Sequence, residues 1–117
     1  MASGGFVQTR LIDDAILVVT LHGNLDAITI NAFETEIQRH LSQGTSKIIV
    51  DCENLGFMTS TGIGSLVVLQ SRLRKQGGAL KLVAVHGIAA EVMKLVQLDR
   101  VVEGYSDVES AVQSFRG

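Results

Sequence analysis

The chain has 117 residues, a formal net charge of −2, and 46% hydrophobic, 19% charged and only 4% aromatic residues. That length fits one domain, residues 1–117, able to bury roughly two-thirds of its unfolded surface, and the balance excludes a disordered chain. It also excludes the dense cationic footprint that nucleic acid or an anionic membrane requires: the closest stretch, Arg72 to Lys75, holds three cations at helical spacing and reads as a solvated helix face.

The opening residues, MASGG, carry no basic segment followed by an apolar one, and no apolar run approaches the ~20 residues of a membrane span. A cytoplasmic protein without membrane insertion is therefore expected. Phe6 to Ile12 and Ala15 to Leu21 flank Asp13-Asp14, which predicts an antiparallel hairpin. The second strand is almost wholly apolar and β-branched, as in a strand covered on both faces. Gly23 to Asp26 then breaks the pattern. Ile30, Phe33, Ile37 and Leu41 recur at helical spacing, with Thr29 or Asn31 as candidate cap and Gly44 as the stop; His40 falls on the turn expected to face solvent.

Lys47 to Cys52 reads as a short buried strand, in which the lone cysteine behaves as a small hydrophobe and rules out an internal disulfide or a multi-cysteine metal site. A loop from Glu53 to Ser60 precedes a helix from about Thr61 to Gln76, stopped by Gly77-Gly78. Ala79 to Val85 is the next strand and Ile88 to Leu98 a third helix. A last strand spans Val101 to Tyr105, and Asp107 caps a final helix whose inner stripe is Val108, Ala111, Val112 and Phe115. Strands alternating with helices predict an α/β fold: a mixed, mainly parallel sheet of about five strands, the first an antiparallel edge, with about four helices. In such sheets function gathers beyond the carboxyl ends of the strands, which points to Gly23–Thr29 and Asn54–Gly64.

The second segment holds the richest pattern, Phe57-Met58-Thr59-Ser60-Thr61-Gly62-Ile63-Gly64. A capping Ser or Thr accounts for one hydroxyl, whereas three precede two glycines in a helix's first turn. The alternative is a hydroxyl displayed for phosphorylation, where helix N–H groups and the dipole accommodate a dianion and small neighbours admit a partner. Asp26 reads equally as a turn carboxylate or as an electrostatic contact for a partner. Other chemistries fail on spacing. Met58 stands where a nucleophile elbow needs glycine, no Gly-Lys-Ser/Thr exists, and His22, His40 and His86 form no ligand-spaced pair. Neither enzymatic activity nor a cofactor is expected.

Taken in order, Gly23-Asn24-Leu25-Asp26, the strand ending in Asp51, Asn54 to Met58, Ser60-Thr61-Gly62-Ile63-Gly64, Gly77-Gly78 and the Leu-Asp pair within Leu95 to Val102 resemble a STAS domain of the anti-sigma-factor antagonist type over nearly the whole chain. The resemblance implies a partner switch. The unphosphorylated domain binds an anti-sigma factor that is also a serine kinase; phosphorylation releases it, and a serine/threonine phosphatase restores it. It implies Ser60 as phosphoacceptor and Asn24, Asp26, Met58, Thr59, Ser60, Thr61, Gly62, Ile63 and Gly64 as the partner-binding set, extended along the second helix through Gln70 and Arg74, in a protein expected to be monomeric. One departure stands out: the family's Asp before the acceptor is Thr59 here. That keeps open a second expectation, a STAS module that is not phosphorylated and serves as a scaffold or as the cytoplasmic subunit of a lipid or anion transporter.

Overall fold

The computed structural model describes residues 5–117. Strands β1 (Val7–Ile12) and β2 (Ile16–Leu21) pair antiparallel from Val7↔Leu21 to Ile12↔Ile16. Asp13 and Asp14 both take φ +54°, the left-handed region used by tight hairpin turns, and the Ala15 N–H donates to the Ile12 carbonyl at 3.0 Å. Then come β3 (Gly23–Leu25), α1 (Ile30–Leu41), β4 (Lys47–Asp51), β5 (Leu55–Met58), α2 (Ser60–Lys75), β6 (Ala79–Val83) and α3 (Gly87–Leu95). A 3₁₀ turn (Leu98–Arg100), β7 (Glu103–Tyr105) and α4 (Val108–Arg116) complete the order.

The main sheet runs β1-β2-β4-β6-β7, with β1 antiparallel and the rest parallel, as the alternating pattern predicts. Alternate residues of each strand divide between two faces. Leu17, Val19, Leu21, Ile48, Val50, Leu80 and Leu82 meet Phe33 and Ile37 of α1, Leu66, Leu69 and Leu73 of α2, and Ala89 and Met93 of α3. Ile16, Val18, Ile49 and Val83 face the other way, onto Ala111 and Val112 of α4. Burial on both faces explains the continuous apolar run of β2.

Two elements end elsewhere than the periodicity predicts, and a third difference concerns the sheets. The fourth predicted strand stops at Val83 because Ala84 turns the chain at φ +59°, and the third helix stops at Leu95 because Gln97 takes φ +58°. After α2 the chain must pass close to the β4 entry: a Cβ on Gly78 would lie 1.8 Å from the Ser46 carbonyl oxygen. The third difference is a second sheet, in which β3 and β5 pair as a short parallel ribbon where irregular segments are expected.

Two polar side chains lie opposite to expectation. His40 is only 6% exposed, because Ile30, Phe33, Ile37 and His40 form one stripe of α1 turned inward. Gln70, expected on the outer face of α2, is buried: its Nε2 donates to the Val101 carbonyl at 2.8 Å and its Oε1 accepts from the Leu80 N–H at 2.7 Å. Cys52 is buried as expected, and burial, with Asp51 beside it, pushes its thiol up to about 12, which leaves it inert as a nucleophile.

Burial, and next the Arg39 guanidinium, lowers the His40 pKa below its ordinary value of 6.5. The unfolded chain therefore takes the proton first, and stability falls as pH drops through 6.5, levelling off below the folded value. In urea titrations, His40→Leu is expected to gain on the parent protein steadily between pH 7.5 and pH 5, and an unchanging gap would contradict this.

Candidate functional site

The β3–β5 ribbon joins the two segments singled out in the sequence. Asn24 pairs with Phe57 and Leu25 with Met58; the Gly23 N–H donates to the Asn54 carbonyl and the Thr59 N–H to the Leu25 carbonyl, both at 3.0 Å. Leu25 and Met58 are fully buried beneath the ribbon. Directly above it sits the first turn of α2. A Cβ on Gly62 would meet the Leu25 carbonyl oxygen at 2.7 Å and Leu25 Cγ at 2.9 Å, so glycine lets the helix rest on the ribbon backbone. Gly64 faces open space.

The β3–α1 loop is closed by its own polar groups. Asp26 Oδ1 accepts from the Ile28 N–H at 2.9 Å and the Thr29 N–H at 3.0 Å, while Thr29 Oγ1 donates to the Asn24 carbonyl at 2.6 Å. These backbone donors, Thr29 first and Ile28 next, hold the Asp26 carboxyl below the usual carboxylate range. Asp26 is thus a turn carboxylate, and Thr29 spends its hydroxyl on the loop rather than on capping α1.

The three hydroxyls before α2 divide their work. Thr59 is the N-cap, extended at φ −90° and ψ 175°, with its Oγ1 accepting from the Gly62 N–H at 3.4 Å. The helix starts at Ser60, one residue earlier than its apolar spacing predicts, and the Ser60 and Thr61 side chains are exposed, with no hydrogen bond to another of the described residues. No acidic residue lies in the first turn of α2, while Arg72, Arg74 and Lys75 occupy its last. In the two segments that the ribbon joins, Ile28 is 87% and Phe57 38% exposed, and Val67 and Val68 are exposed on α2.

The expected partner-binding set therefore separates. Asn24, Ser60, Thr61 and Gly64 lie at the surface, Asp26, Thr59 and Ile63 are half-buried, and Met58 and Gly62 are buried. The last two position the site from beneath and present no side chain to a partner. Ile28 and Phe57 are exposed apolar neighbours absent from the set; Ile28 lies outside every periodic stripe, the one cue the sequence offered. The histidines stay apart, with His86 Nε2 on the Glu53 carbonyl at 2.8 Å and His22 on Gln8, and the described residues hold no group of side chains fit for a metal ion.

A family model described as the STAS domain matches residues 7–111. The chain belongs to the STAS domain family. An anti-sigma factor antagonist from Mycobacterium paratuberculosis is similar to this STAS domain with a TM-score of 0.86 at 21% identity, over 100% of this chain and 98% of that one. SpoIIAA of Bacillus in its unphosphorylated form gives 0.81 at 23% identity, over 95% and 96%. The murine Solute Carrier 26 family member A9 anion transporter gives 0.74 at 15% identity, where 96% of this chain matches 22% of the transporter. At these identities the likeness establishes a shared fold. Among the described residues, no helix is long and apolar enough to cross a membrane.

Two glycines two residues apart are expected to respond oppositely. Gly62→Ala drives a methyl into the Leu25 backbone and is expected to cost about 1–3 kcal/mol. Gly64→Ala, in open space, is expected to gain about 0.5–1 kcal/mol from helix propensity. Equal effects in urea denaturation would refute the ribbon contact. Thr59→Ala is expected to cost about 1 kcal/mol in the same assay through loss of the cap.

Proposed function

We propose that this STAS domain is an anti-sigma-factor antagonist that works as a partner switch at Ser60. Unphosphorylated, it binds an anti-sigma factor that is also a serine kinase; that kinase phosphorylates Ser60 and the complex separates, and a serine/threonine phosphatase restores the starting state. The domain acts as a cytoplasmic, monomeric binding module and not as an enzyme.

One observation carries this reading: the Ser60 hydroxyl is exposed at the first position of α2 and has no hydrogen-bond partner among the described residues, on a domain that also exposes the apolar Ile28 and Phe57 of the adjoining segments. Among the described residues no histidine or carboxylate hydrogen-bonds to it, and the Asp26 carboxylate is committed to its own loop, which fits an acceptor of phosphate better than a nucleophile. Structural neighbours named as anti-sigma factor antagonists, one of them also known in a phosphorylated form, lend further support.

The physics favours a switch. A phosphate brings about −1.5 to −2 charges at neutral pH. On a docking face with apolar surroundings, that anion must be stripped of water or expelled. Thr59 retains the capping oxygen that an Asp would supply but not its charge, so the acceptor keeps its position while the local field changes.

The test uses the serine-kinase anti-sigma factor encoded in the same genome. With ATP, intact mass is expected to rise by one phosphate mapped to Ser60, with no gain for Ser60→Ala, and affinity for the kinase is expected to fall more than tenfold, about 1.4 kcal/mol or more. Stable binding with no phosphate gain would instead favour a module that does not switch. That second reading, a scaffold or cytoplasmic transporter subunit, draws on Thr59 and on the likeness to the anion transporter. It is expected to show a transport protein as the main partner on co-purification.

A further inference from the structure

The sheet separates two packing clusters. The larger joins the inner face of the sheet to α1, α2 and α3 and includes no residue of α4. The smaller is closed by α4 alone, which contributes only Ala111 and Val112 as fully buried side chains, with Val108 and Phe115 half-buried beside them. In the middle of the strand face that α4 covers stands a charged residue, Lys81 of β6.

The Lys81 side chain is only 9% exposed. Its Nζ donates to Ser114 Oγ at 2.6 Å, lies 4.1 Å from the Phe115 ring centre and 5.4 Å from that of Tyr105, and reaches Glu103 Oε1 at 3.4 Å. Glu103 in turn accepts from the Tyr105 hydroxyl at 2.8 Å. Two of these four partners, Ser114 and Phe115, belong to α4. A second polar tie, Arg116 to Asp13, links the far end of α4 to the β1–β2 turn.

We propose that α4 is a hinged cover that opens as a unit about Ser106–Asp107 while the rest of the domain stays folded, and that the Lys81 cage is its catch. Four apolar side chains of α4 (Val108, Ala111, Val112 and Phe115) hold the cover, two of them only half-buried. When α4 is shut, the ammonium depends on Ser114 and the aromatic faces in place of water. When α4 lifts, water takes over those bonds, so release costs less than parting a wholly apolar seam. The opened face is Ile16, Val18, Ile49 and Val83, on the side of the sheet opposite α2 and Ser60. This proposal stands independently of the Ser60 switch.

Native-state hydrogen exchange, followed amide by amide by NMR in low denaturant, tests it. The amides of Ala111 to Phe115 are expected to exchange at one common rate, about tenfold or more faster than those of β4 and β6. Ser114→Ala is expected to speed that group by about another tenfold and leave β4 and β6 unchanged. In a Lys81→Met background, where no cation needs the hydroxyl, the same substitution is expected to change it by less than about threefold. Exchange of α4 only together with β4 and β6, or rates graded along the helix as in end fraying, would overturn the cover. An equal Ser114→Ala effect with and without Lys81, or none, would overturn the catch.

Discussion

The candidate site depends on one close contact, the seating of the first turn of α2 on the carbonyl of Leu25. That carbonyl already accepts from the Thr59 N–H, so the ribbon fixes the residue before the helix while Gly62 lets the helix itself descend. The position and direction of the Ser60 hydroxyl follow from these two constraints. Buried Leu25 and Met58 supply the apolar footing, and Thr59 closes the first turn from above. The polar loop around Asp26 holds the neighbouring rim in shape without reaching the hydroxyl. The surface is thus held in shape by the domain's own contacts, a preorganisation that the proposed switch would exploit.

The sheet was legible because its signals are long. In β2, β4 and β6, five residues or more of largely apolar character, bounded by Asp13-Asp14, Gly44 or Gly77-Gly78, leave little choice between strand and helix. The ribbon was not legible. Gly23–Leu25 and Leu55–Met58 are three and four residues long, too short for any period to appear, and their pairing joins positions more than thirty residues apart. The ends of β6 and α3 were missed for a different reason: Ala84 and Gln97 adopt left-handed backbone that their residue types do not advertise.

At the candidate site, residue type said less about what each side chain does locally. The cluster of hydroxyls and glycines drew attention to the loop that leads into the first turn of α2. It could not show that Thr59 is spent on the cap, that Gly62 faces inward, or that Asp26 satisfies its own turn. The inward face of Gly62 depends on the ribbon, and the other two are local bonds whose formation residue type alone leaves open. His40 and Gln70 fail similarly: both are polar residues on a helix, where polarity argues for solvent, yet each completes a buried stripe or bridge.

Gln70 has a bearing on how this sequence can diverge. One amide supplies both a donor and an acceptor to two backbone groups, the part-buried Val101 carbonyl before β7 and the buried Leu80 N–H on β6. An aliphatic residue would fill the space and strand the Leu80 N–H, and a shorter amide would fall short of one of the two groups. Drift at this position is therefore closed off unless the backbone of two other elements moves with it, however freely the exposed residues on the same helix are exchanged.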